Sequence, residues 1–197
     1  MGNKKVSLYG IIEVRFGWDA FPRQYSGGLL GGLAHWSTAI DCDARAFFCG
    51  STGKPLSDKI NECSISCNNQ TLYESAALHS GDNQAGGVEN AECIVFELEK
   101  LPKEVKQIVL TVDLFKEKKT IGSGKIQEAF VRLYNIDKNE ELVSVDFHNL
   151  NSGTKLVVVG RIQRSDGGWT FLSDGEAYKM NDIEEYFHCK LQDERTK

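Results

Sequence analysis

The segment Ile40-Asp-Cys-Asp-Ala-Arg-Ala-Phe47 alternates apolar and polar residues, and that period of two is the strongest constraint on what this chain can become. A helix would scatter those apolar side chains around its circumference, whereas a strand gathers them on one face. Segments rich in β-branched and aromatic residues recur along the sequence, at residues 6–18, 63–67, 92–98, 107–115, 129–134, 142–147, 155–162 and 169–172. Turn-forming residues separate several of them, at Asn68-Asn69, Asp137-Lys-Asn139, Asn151-Ser-Gly153 and Asp166-Gly-Gly168. Many short strands joined by such turns give an expected fold class of all-β, an antiparallel β-sandwich of two packed sheets. Helix is expected only in short segments. One is a helical turn within residues 98–105; the other is an amphipathic helix near the C-terminus, over residues 180–189 and capped by Asn181 or Asp182. No repeat, low-complexity tract or linker divides the 197 residues, so one domain over 1–197 is expected.

Composition narrows the function classes. A formal net charge of −5 argues against generic nucleic-acid binding, which needs a basic face to neutralise phosphates. No apolar run approaches the roughly 20 residues that cross a bilayer, so no transmembrane segment is expected. The start, Met-Gly-Asn-Lys-Lys, lacks the apolar stretch of a signal peptide, and Val6 stands where a myristoylation pattern wants Ser or Thr. The expected location is cytoplasmic, with the cysteines Cys42, Cys49, Cys63, Cys67, Cys93 and Cys189 reduced and packing as small hydrophobes. Cys63 and Cys67 are read as sharing one face of a strand, with no second pair at zinc spacing.

The stretch from Leu78 to Glu92 carries most of the functional signal. It is punctuated by Gly81, Gly86 and Gly87 and holds Asp82, Asn83, Glu89, Asn90 and Glu92. Glycines let the backbone turn and aim carbonyls inward, and carboxylates and carboxamides are the hard oxygen donors calcium prefers. The same composition suits a solvated turn, and the EF-hand pattern is absent. Asp41 and Asp43 lie two apart on one strand face, where two like charges are costly unless a cation or donor lies between them; a solvated face fits them equally well. His79 near Asp82 has the makings of a base, but no nucleophile motif, Cys–His–acid signature or phosphate-binding glycine loop accompanies it, and no catalytic activity is expected.

The order of motifs resembles the TerD family of tellurite-resistance and stress proteins. The resemblance runs through Gly17-Trp18-Asp19, Asp41-Cys-Asp43-Ala44, His79-Ser-Gly81-Asp82-Asn83 with Gly86, and Glu92-Cys-Ile-Val-Phe-Glu-Leu98. It continues through Gln127 to Asn135, Glu140-Glu-Leu142, Gly168-Trp169-Thr-Phe171 and Gly175-Glu-Ala-Tyr178. It implies a β-sandwich that binds calcium through an acidic loop, acting with other proteins of a bacterial stress-resistance system rather than by catalysis. The alternative is a metal-free interaction module of the same fold in a membrane-associated assembly, peripheral to the bilayer. The family's Asp-x-Asp-Ala maps onto Asp41, Asp43 and Ala44, and its Gly-Asp-Asn onto Gly81, Asp82 and Asn83. Its following Asp-Asp-Glu run becomes Asn90-Ala91-Glu92, in a loop one residue shorter. The implied metal ligands are therefore Asp41, Asp43, Asp82, Asn83, Glu89, Asn90 and Glu92, with calcium held more weakly than by a fully acidic relative, because ligand charge tunes affinity.

Overall fold

Alternating residues of the sequence separate into an inward and an outward set on two antiparallel sheets. The computed structural model describes residues 4–18, 40–82, 92–116, 126–150, 156–173, 178–180, 183–189 and 191; the side chains of 40, 41, 114–116, 126–128, 148–150, 178–180 and 185 lie outside that description. In chain order the strands are β1 (Lys5–Leu8), β2 (Ile11–Trp18), β3 (Ile40–Cys49), β4 (Ser64–Ser66), β5 (Thr71–Leu72), β6 (Ala77–His79), β7 (Glu92–Glu97), β8 (Gln107–Lys116), β9 (Ile126–Asn135), β10 (Glu140–Leu150), β11 (Leu156–Ser165), β12 (Gly168–Leu172) and β13 (Tyr178–Met180). The described helices are α1 (Ile60–Cys63) and α2 (Ile183–Phe187).

The first sheet has the order β1-β12-β11-β8-β3-β4, with β13 also pairing β11; the second has the order β10-β9-β2-β7-β6-β5. Every pairing is antiparallel. The expected all-β sandwich is therefore the observed architecture. Between the sheets lies a core that includes Phe16, Phe48, Phe96 and Phe171, each at most 1% exposed, with Cys42, Ala44 and Ala46 supplied by the alternation of β3. A second apolar cluster lies on the outer face of the first sheet: Phe47, Cys49, Val109, Leu156 and Val158 are covered there by Ile183 and Phe187 of α2. The Phe47 and Phe187 rings meet edge to face at 5.4 Å.

Three sequence expectations are corrected. The strand read over residues 6–18 is two strands in different sheets, broken at Gly10, whose φ of +70° suits glycine and whose missing Cβ makes room for the Asp137 carboxylate. The helix expected over 180–189 does not form as such: Met180 ends β13, α2 is a single turn of five residues, and Asn181 and Asp182 lie outside the described residues. Strand pairing with β11 has claimed the start of that segment. The segment 98–105 forms turns without a helix, closed by Lys100 N–H to the Glu97 carbonyl and Val105 N–H to the Pro102 carbonyl. Pro102 has no N–H to give a helix.

Candidate metal centre

β4 is only three residues long, and its pairing with β3 spans Arg45 to Phe47. Ala44 is the next residue of β3 outward from that pairing, and it is fully buried, so its N–H and C=O need partners from elsewhere. Two side chains of the second sheet supply them. Oε2 of Glu92, at the start of β7, accepts the Ala44 N–H at 2.7 Å. The His79 ring, at the end of β6, places Nε2 at 3.0 Å from the Ala44 carbonyl oxygen. The Gly81 N–H donates to His79 Nδ1 at 3.0 Å, so Nδ1 is the acceptor and Nε2 carries the proton that Ala44 receives. Both nitrogens are thus engaged by backbone groups, and the imidazole braces the edge of β3. Burial lowers its pKa from the ordinary value and Arg45 acts the same way, against the hydrogen bond to Ala44.

The side chains of His79 and Glu92 are both 0% exposed, with Nε2 and Oε2 3.7 Å apart. This anchors a carboxylate at the seam where β3 of one sheet meets β6 and β7 of the other. Asp43, beside Ala44, and Asp82, just beyond the turn at Gly81, bring their own carboxylates to it. One oxygen from each of Asp43, Asp82 and Glu92 lies within 4.8 Å of the others. Burial raises the Asp43 pKa, and the Asp82 carboxylate adds to the rise, while a hydrogen bond with the Cys67 thiol and the charge of Arg45 oppose it. Cys67 is pushed up to about 12 by burial first, then by the fields of Asp43 and Glu92. Arg45 turns toward Asp113, 3.3 Å away, which stands directly opposite Asp43 on β8.

Of the ligands implied by sequence, the structure brings together Asp43, Asp82 and Glu92. Asp41 lies on β3 opposite Phe115, with its side chain outside the described residues; Asn83, Glu89 and Asn90 lie outside them altogether. Sequence reasoning missed two participants. Cys67 was read as sharing a strand face with Cys63, but Cys63 ends α1 and Cys67 follows β4, where it meets Asp43. The Ala44 amide carried no sequence signal, because the need for a side-chain acceptor arises only where β4 stops.

This donor set suits a hard cation. Calcium takes about 6–8 oxygens at roughly 2.3–2.6 Å, so two ligands of one ion stand no more than about 5 Å apart. The three carboxylates satisfy that limit. Backbone carbonyls and water are the usual sources of the remaining oxygens.

A model of the TerD domain family matches residues 4–187. The chain is 30% identical to a tellurium resistance protein TerD from Serratia marcescens over 169 residues, covering 85% of this chain and 80% of that one. It is 30% identical to the stress response protein SCP2 of Bacillus subtilis (strain 168) over 180 residues, covering 88% and 86%. A crystal structure of a homologue of telluride resistance protein TerD from Streptomyces coelicolor A3(2) superposes with a TM-score of 0.59 at 15% identity, over 89% of this chain and 94% of that chain. At that identity the structural likeness speaks to fold alone.

Proposed function

The chain belongs to the TerD domain family, and from that membership we propose that it is a calcium-binding protein of a bacterial tellurite-resistance or general stress response, acting through protein partners in the cytoplasm rather than by catalysis. The observation that carries the calcium reading is the convergence of Asp43, Asp82 and Glu92 from both sheets. Like charges this close raise each other's energy, and a divalent cation between them relieves the repulsion. In this reading the Glu92 carboxylate both serves the ion and accepts the Ala44 N–H, so occupancy bears on the packing of the two sheets at that seam. The non-catalytic reading draws support from His79, whose two nitrogens are committed to backbone groups. Among the described residues no helix is long and apolar enough to cross a membrane.

The test is a calcium titration followed by calorimetry, on the native chain beside Asp82→Ala and Ala91→Asp. Saturable heat is expected for the native protein, its loss in Asp82→Ala, and tighter binding in Ala91→Asp, which adds a carboxylate where the family carries one. Magnesium should bind poorly, since it demands near-octahedral geometry. Absence of saturable heat at millimolar calcium would retire the calcium reading. A second reading, a metal-free interaction module of the same fold, then stands. One observation favours it: the hydrogen bonds of Glu92 and His79 to Ala44 give both side chains a structural role at the edge of β3.

A further inference from the structure

Among the described residues, α2 covers only part of the outer face of the first sheet. Residues opposite one another on paired strands share a face, and the register sets Cys49, Gln107, Gln163, Thr170 and Ser7 in one row across β3, β8, β11, β12 and β1. At the Cys49 end this face belongs to the apolar cluster packed under α2. Beyond it the row turns polar, and a concavity of about 380 Å³ opens, within the range of roughly 300–1,000 Å³ that small ligands occupy. Gln107, Gln163 and Thr170 line it, together with Ser51, Lys5 and Lys106.

Its chemistry is one-sided. Among the described residues no carboxylate lines it, although the chain as a whole carries a formal net charge of −5. Lys5 and Lys106 are exposed, and among the described residues neither has an acidic group within ion-pair distance. Arg164 borders the recess from β11, but it alternates with Gln163 and its side chain lies on the inner face with Trp169. Its guanidinium is fixed by the carbonyls of Pro102 at 2.9 Å, Leu101 at 3.0 Å and Leu98 at 3.3 Å, and lies 4.3 Å over the Trp169 ring. These partners are neutral; the acid whose field reaches it is Glu104, which does not line the recess. Gln163 donates to Gln107 at 3.1 Å, which leaves one carboxamide NH2 and one carboxamide oxygen of the pair with no other protein partner among the described residues. The Lys106 backbone is itself pinned, its N–H to the Cys49 carbonyl at 2.8 Å and its carbonyl to the Arg164 N–H at 2.8 Å.

We propose that this recess binds a small hydroxylated anion of the sugar-phosphate class, its oxyanion held by Lys5 and Lys106 and its hydroxyls by Gln107, Gln163 and Thr170. The lysines select charge, and the glutamine pair, with one donor and one acceptor to offer, matches the alternating donors and acceptors of a polyol. The recess lies past the C-terminal end of β3, whereas Asp43 lies near its start. The site is therefore separate from the carboxylate cluster, and the inference does not depend on calcium.

The probes are glucose 6-phosphate, gluconate and glucose, each titrated into the full chain with amide NMR shifts and calorimetry as readouts. Glucose 6-phosphate is expected to give saturable shifts at Gln107, Gln163 and Thr170, weakened by added salt. Gluconate binding more tightly than glucose 6-phosphate would support the same site with a carboxylate as the anion. Lys106→Glu and Lys5→Glu should each weaken binding about tenfold or more, and Asp82→Ala should leave it unchanged. Unaltered melting temperatures of the charge-reversal variants would separate lost binding from lost folding. Glucose binding as tightly as the anions would overturn the proposal. So would the absence of saturable shifts at millimolar concentrations, or unchanged affinity in a Lys5→Glu/Lys106→Glu variant.

Discussion

Glu92 has two separable jobs in this structure, and a pair of substitutions takes them apart. Its Oε2 satisfies the Ala44 amide at 2.7 Å in a place where neither residue is exposed by more than 1%. Glu92→Ala leaves that N–H buried without an acceptor, at a cost of about 1–3 kcal/mol. The one side-chain CH2 lost with it, Cγ, forfeits burial worth about 0.8 kcal/mol. Relief of repulsion with Asp43 and Asp82 offsets part of this, so the expected loss is about 2 kcal/mol. For a chain of this size that corresponds to a fall in melting temperature of roughly 4–8 °C. Glu92→Gln is the informative partner. Its carboxamide oxygen still accepts the Ala44 N–H, losing the charge assistance but also the like-charge strain, so its stability without calcium should lie within about 1 kcal/mol of native. Both variants should lose calcium affinity, since each removes an anionic ligand. Thermal unfolding by circular dichroism, in chelator and again in excess calcium, reads both effects. If Glu92→Gln in chelator melts as low as Glu92→Ala, the carboxylate charge rather than the hydrogen bond is what the fold needs, and the account of the β3 edge fails.

Three further outcomes are expected. A Cβ at residue 17 would overlap the Phe130 ring lying over that glycine, so Gly17→Ala should cost about 1–3 kcal/mol, and the Gly17→Ala/Phe130→Ala double variant should unfold at higher denaturant than Gly17→Ala alone. Phe187→Ala removes a ring that is 4% exposed and packed on Phe47, an expected loss of about 3 kcal/mol, and thiol-reagent kinetics should show Cys49, buried beneath α2, becoming reactive. Burial depresses the His79 pKa below its ordinary 6.5, so the stability it confers is complete above about 6.5 and declines as pH falls from there toward the folded value; Asp43, whose pKa is raised, acts with the opposite sign in the acid range above 3.8. Urea melts of the native chain and His79→Gln between neutral and mildly acid pH should converge as the pH falls.

Much of the sandwich was legible because it rests on local patterns. The alternation of β3 sends Cys42, Ala44 and Ala46 inward as read, and the turn residues at Asp137 and Asp166 do close hairpins, with positive φ at Asn139 and Gly168. What escaped depends on partners distant in sequence. Phe47 and Cys49 face outward from the sandwich, yet both are fully buried, because a helix more than a hundred residues later covers them. The three residues of β6 alternate buried, exposed, buried, too short a run to declare a strand. They become one because β7 offers a free edge beside them.

The carboxylate cluster shows the same division more sharply. Asp43 and Asp82 were visible as acids in motifs, and polarity is a reasonable guide for groups that meet solvent: Asp82 is exposed and Asp43 half-buried. Glu92 also sits in a recognisable motif, but its environment follows from a different cause. An unpaired carboxylate with 0% exposure would be costly, and it is stable there because β4 ends early and leaves the Ala44 amide in need of an acceptor. The length of β4, the position of Ala44 and the tautomer of His79 together make one buried acid tolerable. That anchored acid then sets the place where Asp43 and Asp82 converge. A sequence motif can specify which acids take part, but the reason they can stand so close together lies in a strand that stops three residues after it begins.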